Sequence, residues 1–209
     1  MDEPIKGGPC DSWKNFLQIG WSRFAIRRGA RCPEGDHECC RMRVPRHSAL
    51  GKDLIERADF RDAYRAPLSR SDLSVVEIFF AIFARRPGWM NLMLIARNKA
   101  AALAGLEVPT TAEITNMEKR GCYLVGEKIG PWPIFFLDSD ELVAGRDNKH
   151  MDFRLSIMKM HDGIRSNIVV STLCMIHNKF GQYYLSSIIP FHKFGLRRLI
   201  ASALAAQRL

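Results

Sequence analysis

The clearest alternation of apolar and polar positions lies between residues 150 and 161, in the run "HMDFRLSIMKMH". Successive side chains of a β-strand point to opposite faces of the sheet. The apolar members at its start are Met151, Phe153, Leu155 and Ile157, and the polar members are His150, Asp152, Arg154 and Ser156. The pattern therefore predicts a strand with one face on the core and the other in solvent.

Further runs predict an antiparallel sheet around this strand. They are "RGCYLVGEKIG" (120–130), "WPIFFLDSD" (132–140), "ELVAGRDN" (141–148) and "SNIVVSTLCMIHN" (166–178). Only short connections separate them, which favours hairpins over helical crossovers. An earlier run, "ADFRDAYRAPL" (58–68), predicts the first strand, which ends at Pro67.

Two short helices are predicted between the first strand and the others. The first is the apolar run "LSVVEIFFAIFAR" (73–85), which Ser71 or Asp72 would cap. Pro87 and Gly88 then start a second helix, "WMNLMLIARNKAAALAGL" (89–106), which ends near Gly105.

The last predicted helix contains "YYLSSIIPFHKFGLRRLI" (183–200), and its inward stripe includes a histidine. The stripe consists of Leu185, Ile188, Ile189, His192, Leu196, Leu199 and Ala203. Pro190 lacks a backbone N–H, so we expect a bend there, with Ser186 or Ser187 bonding the freed carbonyl. A bent helix with an inward histidine predicts a cavity with one polar group. A core histidine with a satisfied hydrogen bond is the alternative.

This order of elements predicts an α+β helix-grip fold. A curved antiparallel sheet wraps around a long C-terminal helix, and two short helices follow the first strand. Bulky side chains at Phe135, Phe136, Phe153 and Met175 would either line the cavity or fill it.

Three stretches carry a family resemblance: "PGWMNLMLIARN", "ELVAGRDNKHMDFRLSI" and "STLCMIHNKFGQYYLSSIIPFHK". Over roughly residues 53 to 205 the chain resembles an uncharacterised bacterial family, domain of unknown function 2867. The order of elements resembles the START and Bet v 1-like (SRPBCC) superfamily. The resemblance implies an internal apolar cavity, and the superfamily includes both passive binders and enzymes.

The chain has 209 residues, 47% of them hydrophobic, which suits one domain with an appendage. We expect an N-terminal extension over residues 1–50 and the helix-grip domain over 51–209. In the extension, "DSWKNFLQIGWSRFAIRRG" predicts an amphipathic helix that docks on a membrane or partner. The alternatives are that it packs on its own domain or is poorly ordered, and a Cys-rich linker follows it. Cys32, His37, Cys39 and Cys40 follow at a spacing that does not suit zinc. Met42 is an alternative start of translation.

Charge and missing motifs limit the function further. The formal charge of +9 comes from scattered basic residues rather than a block, and no nucleic-acid-binding motif is present. We therefore do not expect nucleic-acid binding.

No run reaches the roughly 20 apolar residues of a membrane span, and six cysteines fit a reducing compartment, so the expected location is cytoplasmic. Without a phosphate loop, nucleophile elbow or metal-binding helix motif, we expect no cofactor and no metal.

Two groups of residues are candidates for a site. The expected ligand contacts are His192, Ile188, Leu196, Phe153, Leu155 and Arg97. A polar cluster of Asp147, His150, Asp152 and Arg154 offers acid–base chemistry or, alternatively, a solvated strand face with ion pairs. Arg97 either pairs with a ligand carboxylate or is a boundary residue.

The leading hypothesis is a domain that binds a small hydrophobic molecule. The alternatives are a cofactor-independent cyclase, hydratase or isomerase that uses His192, and a protein-interaction module that uses the N-terminal helix.

Overall fold

Seven strands of the described chain form one curved antiparallel sheet that does not close. The strands are β1 (Cys40–Met42), β2 (Phe60–Pro67), β3 (Lys128–Ile129), β4 (Trp132–Leu137), β5 (Glu141–Arg146), β6 (Met151–Asp162) and β7 (Arg165–Ile176). Their order across the sheet is β1-β2-β7-β6-β5-β4-β3. The centre is the long β6–β7 hairpin, in which Leu155 pairs with Thr172.

Four helices of the described residues accompany the sheet: α1 (Lys52–Arg57), α2 (Val75–Phe83), α3 (Gly88–Leu103) and α4 (Lys179–Ala205). This confirms the expected α+β order of one strand, two helices, five strands and a long helix. The structure adds β1 and α1 before it. No α-helix of the described residues combines the length and apolar character that a bilayer crossing needs.

The structure is a computed structural model, and it describes residues 39–103, 110, 112, 117, 119–163 and 165–209. They belong to one compact unit, Glu34–Leu209. The amphipathic helix expected around Trp13 and the residues Cys32 and His37 lie outside the described residues. The boundary expected between the extension (1–50) and the helix-grip domain (51–209) stays a prediction. Strand β1 and the buried residues Ser48 and Leu50 precede that boundary and belong to the compact unit.

Two expected details are wrong. The cap of α2 is Ser74 rather than Ser71 or Asp72, because Ser74 and Glu77 form a reciprocal capping box. The run 120–130 contributes only the two-residue β3. Leu124 to Glu127 form a turn instead, in which Glu127 N donates to Leu124 O and Gly126 has a φ of 92°.

Helix α4 continues through Pro190 over 27 residues. The two serines before the proline do not bond the carbonyl that it frees. Ser186 Oγ donates to Gln182 O at 2.8 Å, and Ser187 Oγ donates to Tyr184 O at 2.7 Å. The expected role of these hydroxyls is therefore wrong, while the bend at Pro190 stays a prediction.

The inner face of the sheet carries the main core. Leu155 and Ile157 of β6 pack there with α2 and with the inward stripe of α4. The core residues of that stripe are Leu196, Leu199 and Ala203, and Ile200 of α4 joins them although it was not in the predicted stripe. The apolar side of β6 thus faces the last helix, as its alternation predicts.

The outer face of the sheet is also covered, which the sequence pattern did not predict. Residues between Val44 and Ala58 pack against Val143, Leu173 and Met175. Ser156, expected on a solvated face, is only 1% exposed. The alternation of β6 therefore separates two buried environments at its centre, and the outer one combines apolar packing with the polar side chain of Ser156.

A buried carboxylate joins this outer layer to the sheet. Glu141 Oε1 accepts hydrogen bonds from Ser48 Oγ and Ser156 Oγ, both at 2.5 Å, and Oε2 accepts from Ala49 N at 2.7 Å. Three donors therefore satisfy a side chain that water does not reach.

Candidate functional site

A cavity of about 750 Å³ lies between the inner face of the sheet, α3 and α4. Its size falls within the range of small-molecule sites. The wall is largely apolar, and the sheet contributes Phe60, Trp132, Arg146, Met151, Phe153, Leu155, Thr172 and Cys174. Helix α3 adds Met90, Met93 and Leu94. All six expected ligand contacts lie on this one wall.

Helix α4 forms one side of the cavity with the stripe that its sequence predicted. The lining residues of this stripe are Leu185, Ile188, Ile189, His192, Leu196 and Leu199. Gly195 also lies on the wall, where an added Cβ would meet Met90 Cε at 3.9 Å, an ordinary contact. The absence of a side chain at Gly195 thus leaves room in the cavity.

His192 is the central polar group of the site. Its ring meets Phe60 edge to face, and Nε2 is buried with no hydrogen-bond partner among the described residues. Burial lowers the pKa of His192, the negative charge of Asp62 raises it in part, and Lys193 and Arg97 lower it further. The imidazole is therefore neutral at pH 7. The alternative of a satisfied core histidine does not hold for Nε2 within the described part of the chain.

Thr172 is a second polar group that the sequence analysis missed. Its side chain lines the cavity from β7, and its Oγ1 is buried with no hydrogen-bond partner in the described residues. A threonine inside "SNIVVSTLCMIHN" looks like an ordinary β-branched strand residue. Only the register of β7 with β2 and β6 shows that it faces the cavity.

Arginines add positive charge to the wall. Arg86, Arg97 and Arg146 all line the cavity. Arg97 donates to the side-chain oxygen of its neighbour Asn98 through Nε at 3.1 Å and Nη2 at 2.7 Å. Arg146 Nη2 donates to the carbonyl of Pro131 at 3.1 Å. Sequence reasoning identified Arg97 but not Arg146, which lies at the end of β5.

The polar cluster expected around β6 divides into separate pairs. Arg154 Nη1 bonds Asp147 Oδ1 at 2.5 Å, and its guanidinium lies 3.7 Å from the centroid of the Phe135 ring. Asp152 pairs with His177 at 3.0 Å. His150 Nδ1 lies 3.2 Å from Asn178 Oδ1 at the start of α4. None of these four cluster residues lines the cavity.

The bulky residues considered as cavity fillers are mostly elsewhere. Phe136 and Met175 pack in the outer layer, and Phe135 is 40% exposed beside Arg154. Only Phe153 lines the cavity. The cavity is therefore open in this structure rather than filled by these side chains.

Two thiols of the described domain, those of Cys39 and Cys174, are not activated as nucleophiles. Burial raises the pKa of Cys174 to about 12 and that of Cys39 to about 11. A protonated thiol is a weak nucleophile. Cys40 is disulfide-bonded, so the expectation of six reduced cysteines is wrong for it, whereas Cys39, Cys122 and Cys174 are free. Over the described ranges, no three His, Cys, Asp or Glu side chains converge as metal ligands do.

One family model matches the chain. Its description is "Protein of unknown function (DUF2867)", and the match covers residues 54–199, from α1 to the last third of α4. No curated protein and no solved structure matches the chain. Because the family model spans well over half of the sequence, the chain belongs to the DUF2867 family.

Proposed function

We propose that the protein binds a small, largely hydrophobic molecule in the cavity between its curved sheet and α4. One observation carries the proposal. The apolar wall holds two buried polar atoms, His192 Nε2 and Thr172 Oγ1, that have no hydrogen-bond partner among the described residues. Because an unsatisfied buried polar atom costs about 1–3 kcal/mol, a ligand that bonds either atom gains affinity and specificity.

The proposed contacts follow from the lining of the cavity. Ile188, Leu196, Phe153 and Leu155 would bury the apolar part of the ligand. His192 would bond a carbonyl or hydroxyl group, because a neutral imidazole offers one donor and one acceptor. The curved sheet and long last helix also support assignment to the START and Bet v 1-like superfamily, which we include in the proposal.

Native mass spectrometry on protein purified from its own host without detergent tests this function. We expect a stoichiometric bound compound, which denaturing mass analysis would then assign to a chemical class. Bare protein, together with no thermal shift from a panel of lipids and aromatic compounds, would contradict the proposal.

A second candidate function is proton transfer by His192 in a cyclase, hydratase or isomerase reaction. It is favoured by the neutral state of the buried imidazole, which is the form that accepts a proton. Replacing His192 by Gln would then abolish turnover of the identified ligand while leaving its binding in place. Unchanged turnover in His192→Gln would leave binding as the function. Recruitment through the N-terminal helix stays a prediction outside the described residues.

A further inference from the structure

Two arginines line the cavity without an acidic partner in the part of the chain that the structure describes. Arg97 bonds the neutral amide oxygen of Asn98, and Arg146 bonds the neutral carbonyl of Pro131. Each guanidinium carries five N–H donors, and these hydrogen bonds use two from Arg97 and one from Arg146. Both side chains are partly buried on a largely apolar wall.

Arg97 acts electrostatically on the cavity. Burial raises the pKa of the Tyr184 phenol, and the positive charge of Arg97 opposes that change. Burial lowers the pKa of His192, and Arg97 adds to that decrease. Tyr184 and His192 both line the cavity, so the field of Arg97 reaches its interior. A partly buried cation without a counterion favours an anionic ligand group.

We infer that the ligand is an amphipathic acid, with an apolar body in the cavity and one oxyanion held by Arg97 and Arg146. This inference rests on the proposed binding function and adds the chemical class of the ligand. Arginine bonds a carboxylate or a phosphate through two parallel N–H groups, so the shared chemistry is the oxyanion. The described residues of the wall include no lysine and few polar groups, which favours a single anionic group over a strongly polar ligand.

A matched set of probes tests the charge separately from the cavity. Dodecanoic acid, dodecan-1-ol and methyl dodecanoate share one chain, and dodecyl phosphate distinguishes the two oxyanions. In isothermal titration we expect the acid or the phosphate to bind about tenfold tighter than the alcohol and ester, as for one charge-assisted contact. Arg97→Met should remove this preference, lowering the affinity for the acid far more than the affinity for the alcohol. Arg146→Met should reduce the preference.

Arg57→Met is the matched control, since Arg57 is exposed on α1 and does not line the cavity. It should bind every probe as the parent protein does. Equal affinities for acid, alcohol and ester would overturn the anion site while the binding function stands. If none of the four probes binds, the proposed function itself is contradicted for chains of this size.

A different observation concerns the solvent side of α4. Tyr183, Phe191 and Phe194 are 66%, 58% and 62% exposed. Their spacing places them on one face of the helix, with Lys179 before them and Arg198 after them on the same face. Large exposed apolar side chains on one continuous face commonly mark an interaction surface.

The charges beside these aromatic residues indicate the partner. Basic residues around exposed aromatic rings suit an anionic lipid surface, where the rings enter the interface and the cations meet headgroups. Phe191 also lines the cavity, so this face adjoins the cavity wall. We propose that α4 lies on an anionic membrane surface, with its aromatic face toward the lipid.

Vesicle sedimentation tests this surface without reference to the ligand. We expect binding to vesicles of phosphatidylcholine with 30% phosphatidylserine, weaker binding at 0.5 M salt and none to phosphatidylcholine alone. The double variant Phe191→Ser, Phe194→Ser should lose about tenfold in binding. Leu124→Ser, a change at another exposed apolar residue, should have no effect. If the parent protein does not sediment with the vesicles, the proposal is overturned. It is also overturned if the parent protein forms a dimer in the absence of lipid and the double variant is a monomer.

Discussion

The ring of His192 meets the ring of Phe60 edge to face, with centroids 5.7 Å apart and planes at 85°. This contact fixes the middle of α4 against the first residue of β2. The imidazole therefore lies beside an aromatic ring, while its Nε2 has no hydrogen-bond partner within the described chain. Such a site disfavours a positive charge on the ring.

The stability of the protein should depend on pH through His192. Burial lowers its folded-state pKa below the usual 6.5, so between these two values the unfolded state binds more protons. Stability is then lost as pH falls below about 6.5, by up to about 1.4 kcal/mol per pH unit, and is unaffected by this group above pH 7. Urea unfolding between pH 5 and 8 measures it.

The control for this dependence is His192→Gln, which removes the titrating group and keeps a polar side chain. The difference in unfolding free energy between parent and variant should be constant above pH 7 and change in favour of the variant below pH 6.5. Parallel pH profiles for the two proteins would show that His192 does not titrate abnormally.

Replacing Glu141 by Gln should destabilise the domain by roughly 1–3 kcal/mol, since an amide oxygen cannot accept from all three donors that the carboxylate satisfies. The urea midpoint measures the change. Ser139→Ala is the control, because Ser139 is an exposed neighbour in the turn before β5 and should change little. An unchanged midpoint for Glu141→Gln would mean that the outer layer does not depend on this carboxylate.

Gly181→Ala should also destabilise the domain, by roughly 1–3 kcal/mol. A Cβ at Gly181 would collide with the carbonyl oxygen of His150, which the first turn of α4 approaches closely. Gly88→Ala provides the comparison, since Gly88 also lies in the first turn of a helix and a Cβ there meets nothing within 4 Å. Thermal unfolding should separate the two variants; equal melting temperatures would argue against this close approach.

Ser74→Ala should cost about 1 kcal/mol, the usual effect of losing an N-cap. The Ser74 hydroxyl accepts from Glu77 N at 3.2 Å, and the Glu77 carboxylate accepts from Ser74 N at 2.9 Å. The bond from Ser74 N and the ammonium of Lys119 lower the pKa of Glu77 to about 2. The contribution of the Glu77 carboxylate to the free energy of unfolding is therefore present above about pH 4.5 and is lost as the pH falls toward 2. Ser71→Ala should leave the unfolding midpoint unchanged.

The sequence predicted those features that depend on a regular local period. The alternation of β6 identified its apolar face, and the period of α4 placed His192 among Ile188 and Leu196. Both signals arise because burial of one face imposes a repeat of 2 or 3.6 residues on the chain. The order of helices and strands followed in the same way.

Features that depend on distant pairing were not predicted. The outer layer brings Ser48 to Glu141 across 93 positions, and no local pattern marks that contact. Thr172 and Arg146 lie on different strands and reach one cavity only through the sheet register. The capping box of Ser74 and Glu77, in contrast, is a local motif, Ser-x-x-Glu, that the sequence alone shows. The turn at Gly126 interrupts a run whose composition favours a strand.

The most direct measurement is the titration of the neutral fluorescent probe N-phenyl-1-naphthylamine against the parent protein and a pair of leucine variants, one at a buried and one at an exposed position of α4. Gly195→Leu places its side chain at the cavity wall, whereas Ala201→Leu adds the same side chain at an exposed position. We predict saturable binding of one probe molecule to the parent protein and to Ala201→Leu, and a loss of at least about tenfold in affinity in a folded Gly195→Leu. Equal binding by all three proteins, or no saturable binding by the parent, would contradict a ligand site in this cavity.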